Sequence, residues 1–170
     1  MNEIAPIRKL SLTDFSRVPM TASAAGWWNE VPAKPGWYAI ETDAPVSTLQ
    51  AALSPREVGK RYNLAARVTK ATFLIERGLA ITPTEPGSSY VVYAGEHANL
   101  KSRAREHTHG NKGTGCLCLS QYADIGAFQW TFNFLSFERH VPGHSDNKLL
   151  RTLLEQKWRA ENGWPVLCAE

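Results

Sequence analysis

The chain has 170 residues and 18.9 kDa, with 43% hydrophobic and 21% charged residues. That is enough for one domain with its own core, and it excludes two large domains and the disordered, fibrous and supercharged classes. The net charge of +3 says little by itself, but it is unevenly spread: residues 56–77 hold six basic against two acidic side chains, and residues 97–112 hold four against one. Two basic segments therefore stand on an otherwise acidic chain, which is consistent with a surface that follows phosphates.

Three cysteines, with Cys116 and Cys118 two apart, do not read as a disulfide framework, so a reducing compartment is expected. No run of about 18 apolar residues spans a bilayer, and MNEIAPIRKLSLTDF lacks the apolar centre of a signal peptide, so the expected location is the cytoplasm.

Residues 1–35 mix polar and apolar side chains and end in GWWNEVPAKPG, which reads as an N-terminal arm packed on a domain running from 36 to 170. Pro35-Gly36 punctuates the chain, and WYAIE at 37–41 has the aromatic and β-branched content of a strand. Ser54-Pro55-Arg56-Glu57 is a helix start and Gly78 a stop. Between them Arg56, Lys60, Asn63, Arg67 and Lys70 form a polar stripe expected to face outward, with Val58, Tyr62, Ala65, Val68 and Ile75 opposite. The same segment also reads as a helix-turn-helix turning at Tyr62-Asn63-Leu64.

After the loop PTEPGSS, YVVYAG is a second strand, and EHANLKSRAREH a helix with Leu100, Ala104 and His107 on one face and Gly110 as its stop. CLCLSQY is a short alternating run, and AFQWTFNFLSF, alternating over Phe128, Trp130, Phe132 and Phe134, is the clearest strand. From 145 to 162 an apolar stripe of Leu149, Leu150, Leu153, Leu154 and Trp158 predicts a helix ended by Asn162-Gly163. The fold class is α+β: a short, mainly antiparallel sheet of about three strands flanked by helices, with a helical insertion at about 54–78.

Taken in order, GWY at 36–38, YAG at 93–95, ANLKSRAREH and LLEQKWRAENGWP resemble the GIY-YIG nuclease superfamily, its restriction-enzyme-like members in particular, over residues 36–168. The resemblance implies a divalent-metal-dependent endonuclease acting on DNA, with duplex the expected substrate and a homodimer one way to reach both strands. By position it implies Tyr38 and Tyr93 as the motif tyrosines, Arg103 as the helix arginine, His107 four residues on, and Glu155 as ligand of Mg²⁺ or Mn²⁺. Where the family has Ile this chain has Trp37 and Ala94, and Cys168 stands at the approximate place of a family Asn.

These residue types suit the reaction. One carboxylate is enough for Mg²⁺, whose shell water and phosphate complete. A guanidinium offers paired donors to phosphate oxygens at any working pH. Tyr38 is the expected base, although a free phenol titrates at about 10 and needs help from nearby positive charge. His107, at about 6.5 when unperturbed, is an alternative base or a phosphate contact. Arg56, Lys60, Arg67, Lys70, Lys101, Arg105 and Lys112 are the expected nucleic-acid contacts.

Each residue also has a plainer explanation. Buried strand tyrosines are commonly core, Arg103 pairs with Glu106 at i, i+3, and Glu155 has Arg151 and Arg159 four residues away on either side. Two further readings stay open: a nucleic-acid-binding protein of this fold that has lost turnover, and a zinc-containing interaction domain using His107-Thr108-His109 with Cys116 and Cys118.

Overall fold

The computed structural model describes residues 10–21, 25–53, 63–111, 114–144 and 146–168. A four-stranded antiparallel sheet is built from β1 (Ser16–Met20), β2 (Gly36–Thr42), β4 (Tyr90–His97) and β5 (Trp130–Ser136) in the order β1-β5-β2-β4. A small parallel pair joins β3 (Ala80–Ile81) to β6 (Trp164–Pro165). The helices are α1 (Val46–Ala51), α2 (Leu64–Glu76), α3 (Leu100–His109), α4 (Phe137–His140) and α5 (Lys148–Asn162).

The architecture is the expected α+β one, with four strands where three were expected. The extra strand is β1, which comes from the N-terminal segment and pairs with β5 along its whole length. Its Val18 and Met20 are buried, so this segment completes the sheet.

Side-chain alternation divides the core. Tyr38, Ile40, Val92 and Phe132 face α2 and α3, whereas Trp37, Ala39, Val91 and Ala94 face α4, α5 and Leu10. One irregularity matters for the site. Ile40 pairs with Tyr93 and Glu41 with Val91, so Val92 is an extra residue in β4, a bulge that resets the alternation. Without it Tyr93 would point to the α5 face. With it, Tyr93 joins the Tyr38 face and Gly95 falls opposite Tyr38.

The long helices start where their caps dictate. Asn63, Asn99 and Asn147 accept from the backbone N–H three residues on, at the head of α2, α3 and α5. Helix α3 ends at Gly110, whose φ of +85° suits glycine and whose absent Cβ would stand 2.7 Å from Cys118 Sγ.

Several expectations change. The helix expected from residue 54 is seen as α2 from Leu64, capped by Asn63; residues 54–62, with the start signal and Tyr62 of the expected helix-turn-helix turn, lie outside the described residues. Arg67 is buried, because α2 turns Leu64, Arg67, Val68 and Ala71 inward. CLCLSQY is not a strand: Cys116 to Leu119 are buried one after another without alternation, Cys118 is left-handed at φ 58°, and a 3₁₀ turn follows at Leu119–Gln121.

On α5 the stripe is rotated from the expected one. Leu154 and Trp158 are buried, but Leu149 and Leu153 are 69% and 57% exposed. Arg151 and Glu155 take the inner positions. That inner polar face covers the open edge of β4, where unpaired backbone groups need partners. The Leu167 N–H donates to Val92 O (2.9 Å), the Ala94 N–H to Cys168 Sγ (3.2 Å), and Arg159 to Ala94 O (2.6 Å).

Candidate active site

Strand β2 brings Tyr38 to the α3 face, and α3 presents Arg103 and His107 one turn apart to the same hydroxyl. Arg103 Nε donates to Tyr38 Oη at 2.9 Å, Nη2 to Tyr93 Oη at 3.4 Å, and Nη1 to Glu106 Oε2 at 2.9 Å. Every nitrogen of this guanidinium has its own acceptor. Glu106 is fixed in turn by the Asn111 amide at 3.0 Å. Arg105, two residues on, is exposed, so Arg103 is the inward arginine of this pair.

The His107 ring lies 3.1 Å from Tyr38 Oη through Nε2, while its Nδ1 accepts the Leu117 N–H at 3.2 Å. An N–H aimed at Nδ1 leaves the proton on Nε2, so His107 is a neutral donor to Tyr38. Burial and the charges of Arg103, Arg67 and His97 push its pKa well below the usual imidazole value, in agreement with that state. This removes His107 as a base: one nitrogen is capped and the other already carries its proton.

The Tyr38 oxygen thus accepts two N–H bonds, the solvation a phenolate needs. Burial nevertheless raises its pKa well above 10, with Tyr93 adding to the effect and Arg103 opposing it. Tyr93 is raised for the same leading reason, and its hydroxyl donates to Gly115 O at 2.9 Å. The backbone of residues 115–117 therefore orients both Tyr93 and His107, which accounts for its irregular path. Opposite Tyr38, a Cβ on Gly95 would lie 2.6 Å from the phenol oxygen and 2.8 Å from Cζ. The small residue of the YAG run is what lets the Tyr38 ring lie across β4.

Glu155 arrives from α5 over the β4 edge. It shares a small cleft with Tyr38, Gly95 and Trp158, closed on its other side by Leu10, Leu12 and Phe15. The Glu96 backbone bonds its carboxylate, and Arg159 Nη2 meets its Oε1 at 2.5 Å. Burial raises the Glu155 pKa, opposed by Arg159 and reinforced by Glu96; the Arg103 charge also reaches it. Glu96 is held by Arg151 at 2.8 Å, and Arg159 is the flanking arginine that meets the Glu155 carboxylate.

The donor set suits a hard ion of the Mg²⁺ kind, held by one carboxylate with a second beside it. Among the described residues no group of three or more His, Cys, Asp or Glu gathers to hold a metal ion, so an ion at Glu155 would take most of its shell from water and phosphate, as Mg²⁺ does and a structural zinc does not. Cys168 is buried against Ala94, and that burial pushes its thiol up to about 11.

Tyr38, Tyr93, Arg103, His107 and Glu155 are thus brought together from β2, β4, α3 and α5. Arg67 is near them and not on the surface: its guanidinium donates to Leu167 O at 2.8 Å and lies 5.9 Å from the Tyr93 ring centre. Lys70 and Arg105 are exposed and Lys101 half-buried, while Arg56, Lys60 and Lys112 lie outside the described residues. Glu96 and the Leu117 N–H had no sequence signal beyond their nearness to YAG and to the α3 helix. Compared with models of protein families, with curated proteins and with solved structures, the chain matches none.

Proposed function

We propose that the cleft between Tyr38 and Glu155 is a phosphodiester hydrolase site acting on DNA. The observation that carries this reading is the meeting of Arg103 Nε and His107 Nε2 on one tyrosine hydroxyl beside a buried carboxylate. Arg103 supplies fixed positive charge for the oxygens of the reacting phosphate. Tyr38, as the phenolate that its two N–H partners stabilise, takes the proton of the attacking water and becomes the neutral phenol. His107 and Glu106 act on Tyr38 and Arg103, and they orient without touching substrate. A Mg²⁺ or Mn²⁺ ion on Glu155 would add positive charge beside the phosphate. Lys70, Lys101 and Arg105 are the described cations available to flanking phosphates.

Incubating supercoiled plasmid and single-stranded DNA with Mg²⁺ or Mn²⁺ tests the proposal. Nicking is expected from the wild type and expected to fall at least a hundredfold in Glu155→Ala and Arg103→Lys; nicking unchanged in both variants sinks it. Because the phenol titrates above 10, the rate should climb with pH through 7 to 9 without a plateau.

A second reading, nucleic-acid binding without turnover, has an observation of its own. Tyr38 and Arg103 are only 2% and 8% exposed, and Leu12 and Phe15 line the cleft that a phosphate would enter. Retarded DNA in a shift assay, uncut with either metal, selects it.

A further inference from the structure

Two arginines serve this cleft, and they are seated differently. Arg103 gives each nitrogen a separate acceptor. Arg159 directs a single nitrogen, Nη2, at three acceptors: Glu155 Oε1 at 2.5 Å, Ala94 O at 2.6 Å and Cys168 Sγ at 3.5 Å. That nitrogen has two hydrogens. Its Nε is meanwhile buried and finds no hydrogen-bond partner among the described residues. A guanidinium built for a permanent carboxylate pair presents two parallel N–H groups, and Arg159 does not.

In the same pose it has holds besides Glu155: its Cζ lies 5.2 Å from the centre of the Trp164 ring, and the Ala94 carbonyl accepts from it on the β4 side. We infer that Arg159 is the resting occupant of the cation position at Glu155, and that a divalent ion binds there by displacing it. The guanidinium neutralises the buried carboxylate in the metal-free protein and competes with the ion. Arg159 thereby sets the metal concentration at which the site loads.

The inference rests on Glu155 being the metal ligand, and the test separates the two. Mn²⁺ binding to the full chain is followed by electron paramagnetic resonance in the wild type, Arg159→Met and Arg159→Met/Glu155→Gln. Removing the competitor should lower the Mn²⁺ Kd at least tenfold, and the double variant should lose the site. Wild-type binding that Arg159→Met leaves unchanged or weakens overturns the inference alone. Binding in neither protein overturns the ligand assignment and the inference with it. Should Arg159→Met fail to fold, the wild type decides: Mg²⁺ at a concentration that displaces the bound Mn²⁺ should shift the Arg159 Nε–Hε resonance, and a resonance that stays constant there overturns the competition.

Discussion

Replacing Gly95 with Ala puts a methyl carbon 2.6 Å from the Tyr38 oxygen, on a ring wedged between β4 and Phe132. The ring has nowhere to retreat, so a loss of about 1–3 kcal/mol is expected in urea unfolding, and a smaller loss when Gly95→Ala is made in a Tyr38→Ala background. His107 gives a prediction in pH. It is neutral and buried in the folded state, with its pKa held down, whereas the unfolded chain takes up a proton at about 6.5. Its contribution is therefore intact above that pH and is lost as pH falls below it, at up to about 1.4 kcal/mol per unit. His107→Gln keeps an N–H donor and cannot charge, so the stability gap between wild type and variant should narrow or reverse from pH 7.5 to 5.0; a gap independent of pH contradicts the neutral donor. The sequence made the residue types of the site visible, because GWY, YAG and the Arg–His spacing are local patterns. It could not show that His107 donates to Tyr38 and does not accept from it, since that follows from a backbone N–H ten residues away.

Helix α5 shows what a periodic pattern conceals. Five apolar residues drew its buried stripe too broadly, because burial here is shared with a polar face that caps the β4 edge. Leu153→Lys should change stability by less than about 0.5 kcal/mol, whereas Leu154→Ala should cost about 2–4 kcal/mol, both read from thermal or urea unfolding. Equal effects would restore the stripe expected from the sequence. The strands and the later helices were legible because caps, glycine stops and aromatic runs are local signals. Strand β1 was not, since SRVPM has little β character until β5 supplies its partner, and neither was Arg67, whose burial depends on the carbonyl of Leu167. The run YVVY gave one unused hint: two valines in succession break strict alternation, and Val92 is where the bulge falls.

Across the molecule, the site depends on distant parts of the chain meeting: β2 lies between β4 and β5, and residues 164–168 are stitched to the β4 edge. That stitching has a consequence for solubility. Tyr90 to Ala94 is an apolar strand rich in β-branched and aromatic residues, without charge or proline, and its outer edge is kept from other chains by Leu167, Cys168 and Arg159. A substitution that unseats this cover, such as Leu167→Asp, should yield protein that scatters light and binds an amyloid dye at concentrations where the wild type stays clear. The segment completing the site would then also be the chain's guard against self-association.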